Sequence, residues 1–266
     1  MAALIATTPR WGRLKLERAL GFAFILFLLL MWEVIVRAGL LDSSYLPPFT
    51  KVLEALGRLA ADLSLPSALG ISLGRAMVGY LLAIVLLVPP AILLGYHTPT
   101  YNYLEPLVEF LRPIPPPAII PFAMFFIGVN EWMRYFVIFF ACGFPILVNT
   151  MDGTRNLDPA LLDTARIFGL RSWSTLRKIV LPAASPYIMS GLRVSLPIAL
   201  ILVVTAEMVG SSNGIGVFIL RSQRDFKIAE TYAGVATLAL LSYLLNLLFE
   251  KVERRLMVWH RGASQK

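Results

Sequence analysis

The chain has 266 residues, of which 58% are hydrophobic and only 15% are charged, and its mean hydropathy is +0.73. This composition excludes an ordinary water-soluble domain, because so apolar a chain needs a membrane as its solvent. The formal net charge of +8 does not indicate nucleic-acid binding, since the basic residues are scattered between apolar stretches. The single cysteine, Cys142, excludes an internal disulfide or thiolate metal site and is predicted to be a buried packing residue.

Six stretches are long and apolar enough to cross a bilayer as helices. A span needs roughly 17 to 25 mostly apolar residues, because every backbone polar group must be satisfied without water. No small-residue cleavage site follows the first stretch, so we interpret it as a retained span and not as a signal peptide. The sequence predicts an all-α membrane protein of about six transmembrane helices, at 19–36, 77–95, 113–129, 135–151, 194–210 and 231–249.

The third predicted span, 113–129, begins with several prolines. Arg112 is followed by Pro113, and Pro115 to Pro117 come two residues later. Because proline lacks an N–H donor and fixes φ, no regular helix is expected before about Ala118. Such broken backbone indicates either a segment against a water-filled cavity or a simple loop at the membrane interface.

The distribution of Lys and Arg predicts the orientation of the chain. About twice as many of them lie on the side of the two termini as on the opposite side. Because cytoplasmic loops are enriched in these residues, both termini are predicted to be cytoplasmic. The predicted organisation is a cytoplasmic N-terminus (1–18), a transmembrane domain (19–250) that includes an internal loop at 155–182, and a cytoplasmic tail (251–266).

Two connections are longer than a turn. The external one, 39–72, contains a helical pattern at 51–62. The internal one contains PALLDTARIFG, which predicts a short amphipathic helix that ends at Gly169 with a positive φ, and a second helix at 173–180 that Leu181 and Pro182 end. Periodicity alone leaves two interpretations open: a surface loop that only links two spans, or a projection that fits a groove on a cytoplasmic partner.

The internal loop resembles the EAA signature of ABC importer permeases. Asp163, Ala165 and Gly169, followed by Ile179, Leu181 and Pro182, stand at the intervals of that motif. Two departures occur, since Asp163 stands where glutamate is usual and Thr164 replaces the first alanine. Over about 46–259 the order of motifs is similar to the permeases for nitrate, taurine, aliphatic sulfonates and bicarbonate.

The resemblance implies a permease that forms a dimer, a pair of ABC ATP-binding subunits that dock on the loops, and a binding protein that delivers solute. It also implies an inner-membrane location and ATP and Mg²⁺ bound by the ATPase, with no cofactor in this chain. Small residues at the first motif positions would let the loop helix enter the ATPase groove. The implied docking residues are Asp163, Thr164, Ala165, Phe168, Gly169, Leu170, Ile179, Leu181 and Pro182.

A few polar residues inside or at the ends of spans are further candidates. Glu207 is an acid within the fifth span, which indicates either a place on the translocation pathway or a structural hydrogen bond to another helix. Asn149 and Thr205 are pathway candidates that more often form interhelical hydrogen bonds. Arg75 and Arg193 lie at span ends. They either attract an anion or extend their side chains to the membrane interface, and the second role is the commoner one for such residues.

No sequence motif for catalysis is present. The chain lacks a Walker sequence, a GxSxG elbow and an HExxH helix, and it has only two histidines. We therefore predict a non-catalytic permease subunit of an ABC importer for a small solute, expected to be a small organic or inorganic anion. An autonomous channel or secondary transporter is the alternative, which would need intramembrane coupling charges or an inverted repeat. A membrane-embedded enzyme would need clustered histidines or carboxylates.

Overall fold

The computed structural model describes residues 10–257, and the side chains of 20–257 other than those of 22 and 98. All regular secondary structure in this part of the chain is helical, as predicted. The α-helices are α1 (Arg10–Arg37), α2 (Phe49–Ala61), α3 (Ser64–Tyr96), α4 (Thr98–Leu111), α5 (Ile119–Ile127), α6 (Glu131–Arg155), α7 (Pro159–Ile167), α8 (Ser172–Gly210), α9 (Ile215–Arg224) and α10 (Ile228–Leu256).

Helices α3, α6 and α8 pack together and form the main core. Two glycines allow these helices to approach each other closely. A Cβ on Gly79 would lie 2.6 Å from the side chain of Ile138, and one on Gly191 would lie 2.8 Å from the carbonyl oxygen of Pro145. Small residues are favoured at such helix crossings because close backbone approach replaces the hydrophobic effect in a membrane.

Four helices of the described residues, α3, α6, α8 and α10, are long and apolar enough to span a membrane. The pair α4 and α5 would add a fifth span if it were counted as one bent element. The first predicted span lies within α1, whose apolar side chains, such as those of Phe24 and Ile25, are exposed on the chain surface. The protein is thus a multi-pass helical membrane protein, and the total of six spans stays a prediction.

The predicted third span, 113–129, is not a single helix. A 3-10 turn at Pro116–Ala118 precedes α5, which has nine residues, and the segment Pro116–Ile127 is inclined by 79° to Pro99–Leu111 of α4. At 1.5 Å per residue, α5 is about 14 Å long and cannot cross a core of about 30 Å. The prediction of a proline-induced break before Ala118 is confirmed, and the helix that follows it is too short to form the predicted span at 113–129 by itself.

Two helices extend beyond their predicted bounds. Helix α3 begins at Ser64, so much of the predicted external connection is helical. Helix α8 does not end at Leu181 and Pro182, because it runs without a break from the internal loop through a π-helical turn at Leu176–Val180. In this wider turn the N–H of Leu181 donates to the carbonyl of Leu176, and Pro182, which has no N–H to donate, follows within the helix. The prediction that this second loop helix ends at Leu181 and Pro182 is therefore wrong.

Candidate coupling loop and buried polar cluster

The first helix of the internal loop, α7, has well-formed ends. The Asp158 carboxylate caps its start by accepting a hydrogen bond from the backbone N–H of Ala160 at 2.9 Å. Gly169 ends it with φ of +63°, and its N–H donates to the carbonyl of Arg166 while the N–H of Leu170 donates to that of Ala165. These two bonds form a Schellman motif, which confirms the predicted positive φ at Gly169.

Large apolar side chains of this loop are exposed. Ile167 and Phe168, at the end of α7, are 83% and 76% exposed, and Trp173, in the first turn of α8, is 72% exposed. They lie among charged and polar neighbours such as Arg166 and Arg171, outside the stretches predicted to meet lipid. Exposed apolar side chains in a polar loop are typical of a surface that a partner covers.

Only some of the predicted docking residues in α7 are exposed and could contact a partner. Asp163 is exposed and accepts a hydrogen bond from Arg166 at 3.0 Å, so Asp158 and not Asp163 caps the helix. Thr164 is exposed and bonds to the carbonyl of Ala160 within α7. Ala165 is 3% exposed, so its small side chain lets α7 pack against the chain itself, and the expectation that it enters a groove on the ATPase is corrected.

The remaining docking candidates lie where the loop joins the membrane bundle. Leu170, Ile179 and Pro182 are half-buried, and Leu181 is 41% exposed. Next to them lies one apolar cluster, which includes Ile92 of α3, Leu162 of α7, and Leu176, Val180, Ala184 and Ile188 of α8. The loop is therefore attached to both α3 and α8 through buried contacts.

A cluster of charged side chains is buried at the other end of the bundle. The side chain of Glu207 is fully buried, and its carboxylate accepts hydrogen bonds from the Ser72 hydroxyl at 2.7 and 2.8 Å, from Arg75 Nη1 at 2.8 Å and from the N–H of Gly216 at 2.9 Å. Gly214 has φ of +109°, and a Cβ there would lie 2.3 Å from the Glu207 carboxylate. The turn after α8 thus closes directly over this acid.

Arg75 extends the cluster to α6 and to the turn after α8. Its guanidinium donates to Glu131 at 2.7 and 2.8 Å and to the backbone and side-chain oxygens of Asn213 at 2.9 and 2.6 Å. Glu131 also pairs with Arg134, which donates to the carbonyl of Gly210. We call Ser72, Arg75, Glu131, Arg134, Glu207 and Asn213 the polar cluster; it joins the ends of α3, α6 and α8.

The contacts within the polar cluster support a structural interpretation of Glu207. Both oxygens of its carboxylate accept hydrogen bonds, and the four contacts come from α3 and from the start of α9. A carboxylate whose oxygens are satisfied in this way is typical of a structural role. Arg75, expected at the interface, is 6% exposed, which corrects that prediction. Sequence reasoning missed Ser72, Glu131 and Arg134. The available signal was the need of a buried acid for a basic partner.

The other polar candidates do not join Glu207. Asn149 Nδ2 donates to the carbonyl of Pro145 at 2.8 Å, and Thr205 Oγ1 donates to that of Ile201 at 2.8 Å, so both bond within their own helix. The expectation of interhelical hydrogen bonds is therefore wrong for both. Arg193 forms an ion pair with Glu253 of α10 and thus has a partner within the chain.

Comparison with known proteins identifies the family. Residues 79–257 match the model of the binding-protein-dependent transport system inner membrane component. This match covers well over half of the chain and includes both the internal loop and the polar cluster apart from Ser72 and Arg75. The chain belongs to this family of transport permeases. The permease has no catalytic constellation in its sequence, in keeping with a transporter subunit.

Individual relatives agree with this assignment. The permease is 30% identical to a candidate aliphatic sulfonates transport permease protein, SsuC of Bacillus subtilis (strain 168), over 97% of this chain and 93% of that protein. It is 29% identical to the taurine transport system permease protein TauC of Escherichia coli (strain K12), over 94% and 93%. The predicted resemblance to ABC importer permeases of this type is confirmed.

The fold is also that of solved transporters. An inward-facing structure of the MetNI methionine ABC transporter contains a chain that superposes on the permease with a TM-score of 0.64 and 18% identity. The superposition covers 74% of the permease and 97% of that chain. The helical arrangement described above is thus shared with an ABC transporter membrane subunit.

Proposed function

We propose that the permease forms the pathway for a small anion and that a separate ATPase drives it by docking on the loop 155–182. The observation that carries the docking proposal is the exposure of Ile167 and Phe168 at the end of α7, on a loop otherwise rich in charge. Exposed side chains of this size gain about 1.5–3 kcal/mol each when they become buried, which favours a partner that covers them.

The attachment of the loop supports a mechanical role. Leu162 of α7 and Val180 of α8 lie in one buried cluster with Ile92 of α3. A displacement of α7 by a partner would therefore move the adjoining ends of α3 and α8 together. Transitions of this kind are commonly rigid-body movements of packed elements. ATP-driven closure of the ATPase dimer is thus expected to change the access of the pathway from one side to the other.

The chemical class of the solute is inferred from the named relatives and from the charge of the polar cluster. The named functions of the Bacillus subtilis and Escherichia coli relatives, aliphatic sulfonates and taurine transport, support a small organic anion as cargo. Glu207 is unsuited to binding an anion, because it is acidic, fully buried and hydrogen-bonded on both oxygens. We assign it a structural role and leave Asn149 and Thr205, which are only partly buried, as pathway candidates.

The complete transporter is proposed to contain two permease copies, an ATPase dimer that binds ATP and Mg²⁺, and a solute-binding protein. The family description names binding-protein dependence and an inner-membrane location. With both termini in the cytoplasm, the loop 155–182 faces the ATPase and the polar cluster lies at the outer end of the bundle. The permease alone is then inert, and transport requires ATP hydrolysis in the partner.

Reconstitution tests this function. The permease is placed in liposomes with and without its ATPase, together with its solute-binding protein, and uptake of taurine, an alkanesulfonate, nitrate and bicarbonate is measured. We expect uptake of at least one of these anions only when both ATPase and ATP are present. Uptake by the permease alone, without ATP, would contradict the proposal and would favour an autonomous channel or secondary transporter.

A further inference from the structure

An apolar groove of about 480 Å³ runs between α3 and the first turns of α8, where the loop 155–182 joins the bundle. The wall on α3 consists of Val88, Pro89, Ile92 and Leu93, which recur at helical spacing. The wall on α8 consists of Trp173, Leu176, Arg177 and Leu181, and Arg177 alone of these eight residues is charged. The volume is within the range of roughly 300–1,000 Å³ that is usual for binding sites of small molecules.

The groove follows the last turns of α3, which is one of the helices long and apolar enough to span a membrane. Helix α3 ends at Tyr96, so Val88 lies about 12 Å from its end at 1.5 Å per residue. One leaflet of the hydrocarbon core is about 15 Å thick, half of the full core of about 30 Å. With both termini in the cytoplasm, as predicted, the groove lies at the depth of acyl chains in the cytoplasmic leaflet, where a cytoplasmic protein has no access.

The α8 side of the groove carries positive charge. Arg177 lines the groove, Arg171 and Lys178 are close to it in the chain, and all three side chains are exposed. None of the three forms an ion pair with another described side chain, and the sequence has no acidic residue between Asp163 and Glu207. Basic pockets beside apolar helices on the cytoplasmic side of a membrane are typical sites for anionic lipid headgroups.

Trp173 marks the polar edge of the groove. It lies in the first turn of α8 and is 72% exposed. Tryptophan is enriched where a membrane meets water, because its ring is apolar and its N–H is polar. Ile167 and Phe168, on which the proposed ATPase contact rests, are not among the residues that line the groove. The groove and the end of α7 are therefore two separate surfaces.

The groove shares residues with the apolar cluster that attaches the loop to the bundle. Ile92 and Leu176 line the groove, and both belong to the cluster that contains Leu162 and Val180. A molecule in the groove therefore packs against the attachment of the loop from the membrane side.

We propose that the groove binds one anionic phospholipid of the cytoplasmic leaflet. One acyl chain lies between α3 and α8 against Ile92 and Leu176, and the phosphate accepts hydrogen bonds from Arg177. A guanidinium suits this contact, because its planar N–H groups can form paired hydrogen bonds with phosphate oxygens. The proposal goes beyond the transport function, since it concerns the permease alone, and it uses the predicted orientation only to assign the leaflet.

Fluorescence quenching by brominated lipids tests this site. The permease is placed in phosphatidylcholine vesicles that contain a small, fixed fraction of either phosphatidylglycerol or phosphatidylcholine with brominated acyl chains. The signal of Trp173 is the difference between the unaltered permease and Trp173→Phe. We expect the anionic lipid to bind beside Trp173 about fivefold more tightly than the zwitterionic one. A fivefold preference corresponds to about 1 kcal/mol, the attraction of one basic residue to an anionic lipid surface.

Arg177→Gln removes the proposed headgroup contact. Because Arg177 is exposed, we expect an unchanged unfolding temperature in detergent and a loss of the preference, so that the two brominated lipids quench Trp173 equally. Arg255→Gln is the matched control. Arg255 is an exposed basic residue at the same end of the bundle, in the last turn of α10, and it does not line the groove. This variant should keep the fivefold preference.

Three results would overturn the lipid site. Equal quenching of the unaltered permease by both lipids would mean that ordinary boundary lipid fills the groove without selection. An unchanged preference in Arg177→Gln would exclude the headgroup contact. Absence of quenching by either lipid would show that a protein surface, such as that of a second permease copy, covers the groove. None of these results bears on the proposed transport function, because the measurement uses neither the ATPase nor a solute.

Discussion

The loop 155–182 and the polar cluster lie at opposite ends of the same helices and differ in where their side chains find partners. Ile167 and Phe168 of the loop are mostly exposed, whereas Arg75 and Glu207 of the cluster are buried and bonded to each other. The exposed side chains of the loop support the proposed contact with a partner, whereas Arg75 and Glu207 find partners within the chain. Substitutions should therefore affect assembly at one end and stability at the other.

The largest effect on stability is expected when the Arg75 side chain is removed. Arg75→Met leaves the fully buried Glu207 without its basic partner, and breaking a buried pair in this way costs about 3–5 kcal/mol. We expect a strong fall in the yield of folded permease and in its unfolding temperature in detergent. The double variant Arg75→Met Glu207→Leu should lose less stability than the sum of the two single variants. Additive losses would show that the pair is not coupled.

Substitution of one glycine at each end compares the two ends directly. Gly214→Ala introduces a Cβ 2.3 Å from the Glu207 carboxylate at a positive φ, so we expect a loss of about 3 kcal/mol from overpacking and strain together. Gly169→Ala meets no atom within 4 Å and should lose only the roughly 1–2 kcal/mol of backbone strain. Thermal unfolding of both variants checks this ranking, and equal losses would contradict it. Gly169→Asn should be milder than Gly169→Ala, because asparagine tolerates this conformation.

Phe168→Ala is expected to change binding and not folding. Phe168 is 76% exposed, so its removal should alter the unfolding free energy by no more than about 0.5 kcal/mol. Affinity for the ATPase, measured with permease in nanodiscs, should fall about tenfold. Phe110→Ala on α4 is the control, since Phe110 is equally exposed and lies outside the loop. A similar loss in the control variant would mean that the effect is not specific to the loop.

The smallest effect on stability is expected from substitutions of Asn149 and Thr205. Their side chains bond to carbonyls of their own helices that α-helical bonding already serves, so Asn149→Ala and Thr205→Val should each change stability by less than about 1 kcal/mol. Uptake of the transported anion gives the second measurement. A strong fall in uptake at unchanged stability would assign the altered residue to the pathway.

How well the structure of each end can be predicted depends on how far apart in the sequence its interacting residues lie. The end of α7 is set by Gly169 and its immediate neighbours, so a local pattern was sufficient to predict it. The pair of Arg75 and Glu207 is separated by 132 residues, and no periodicity relates them. Their pairing depends on how α3 packs against α8, which follows only from the folded bundle.

The structure differs from the predictions for Pro182 and Ala165 for local physical reasons. Pro182 is predicted to end a helix because proline disrupts α-helical bonding, but it lies within α8 after a π-helical turn, and Pro186 and Pro197 lie inside the same helix. Ala165 was assigned to a partner because a small residue serves equally well at an internal contact. The helical class and the family motif were predictable, since hydropathy and spacing carry them directly.

ATP-driven uptake by a permease altered only in the loop tests the proposed coupling most directly. Ile167→Ser Phe168→Ser is reconstituted with the ATPase and the binding protein, and uptake of the transported anion is compared with that of the unaltered permease. We predict a folded permease with the same unfolding temperature and with uptake reduced at least tenfold. Uptake at the unaltered rate would contradict the claim that this loop couples ATP hydrolysis to transport.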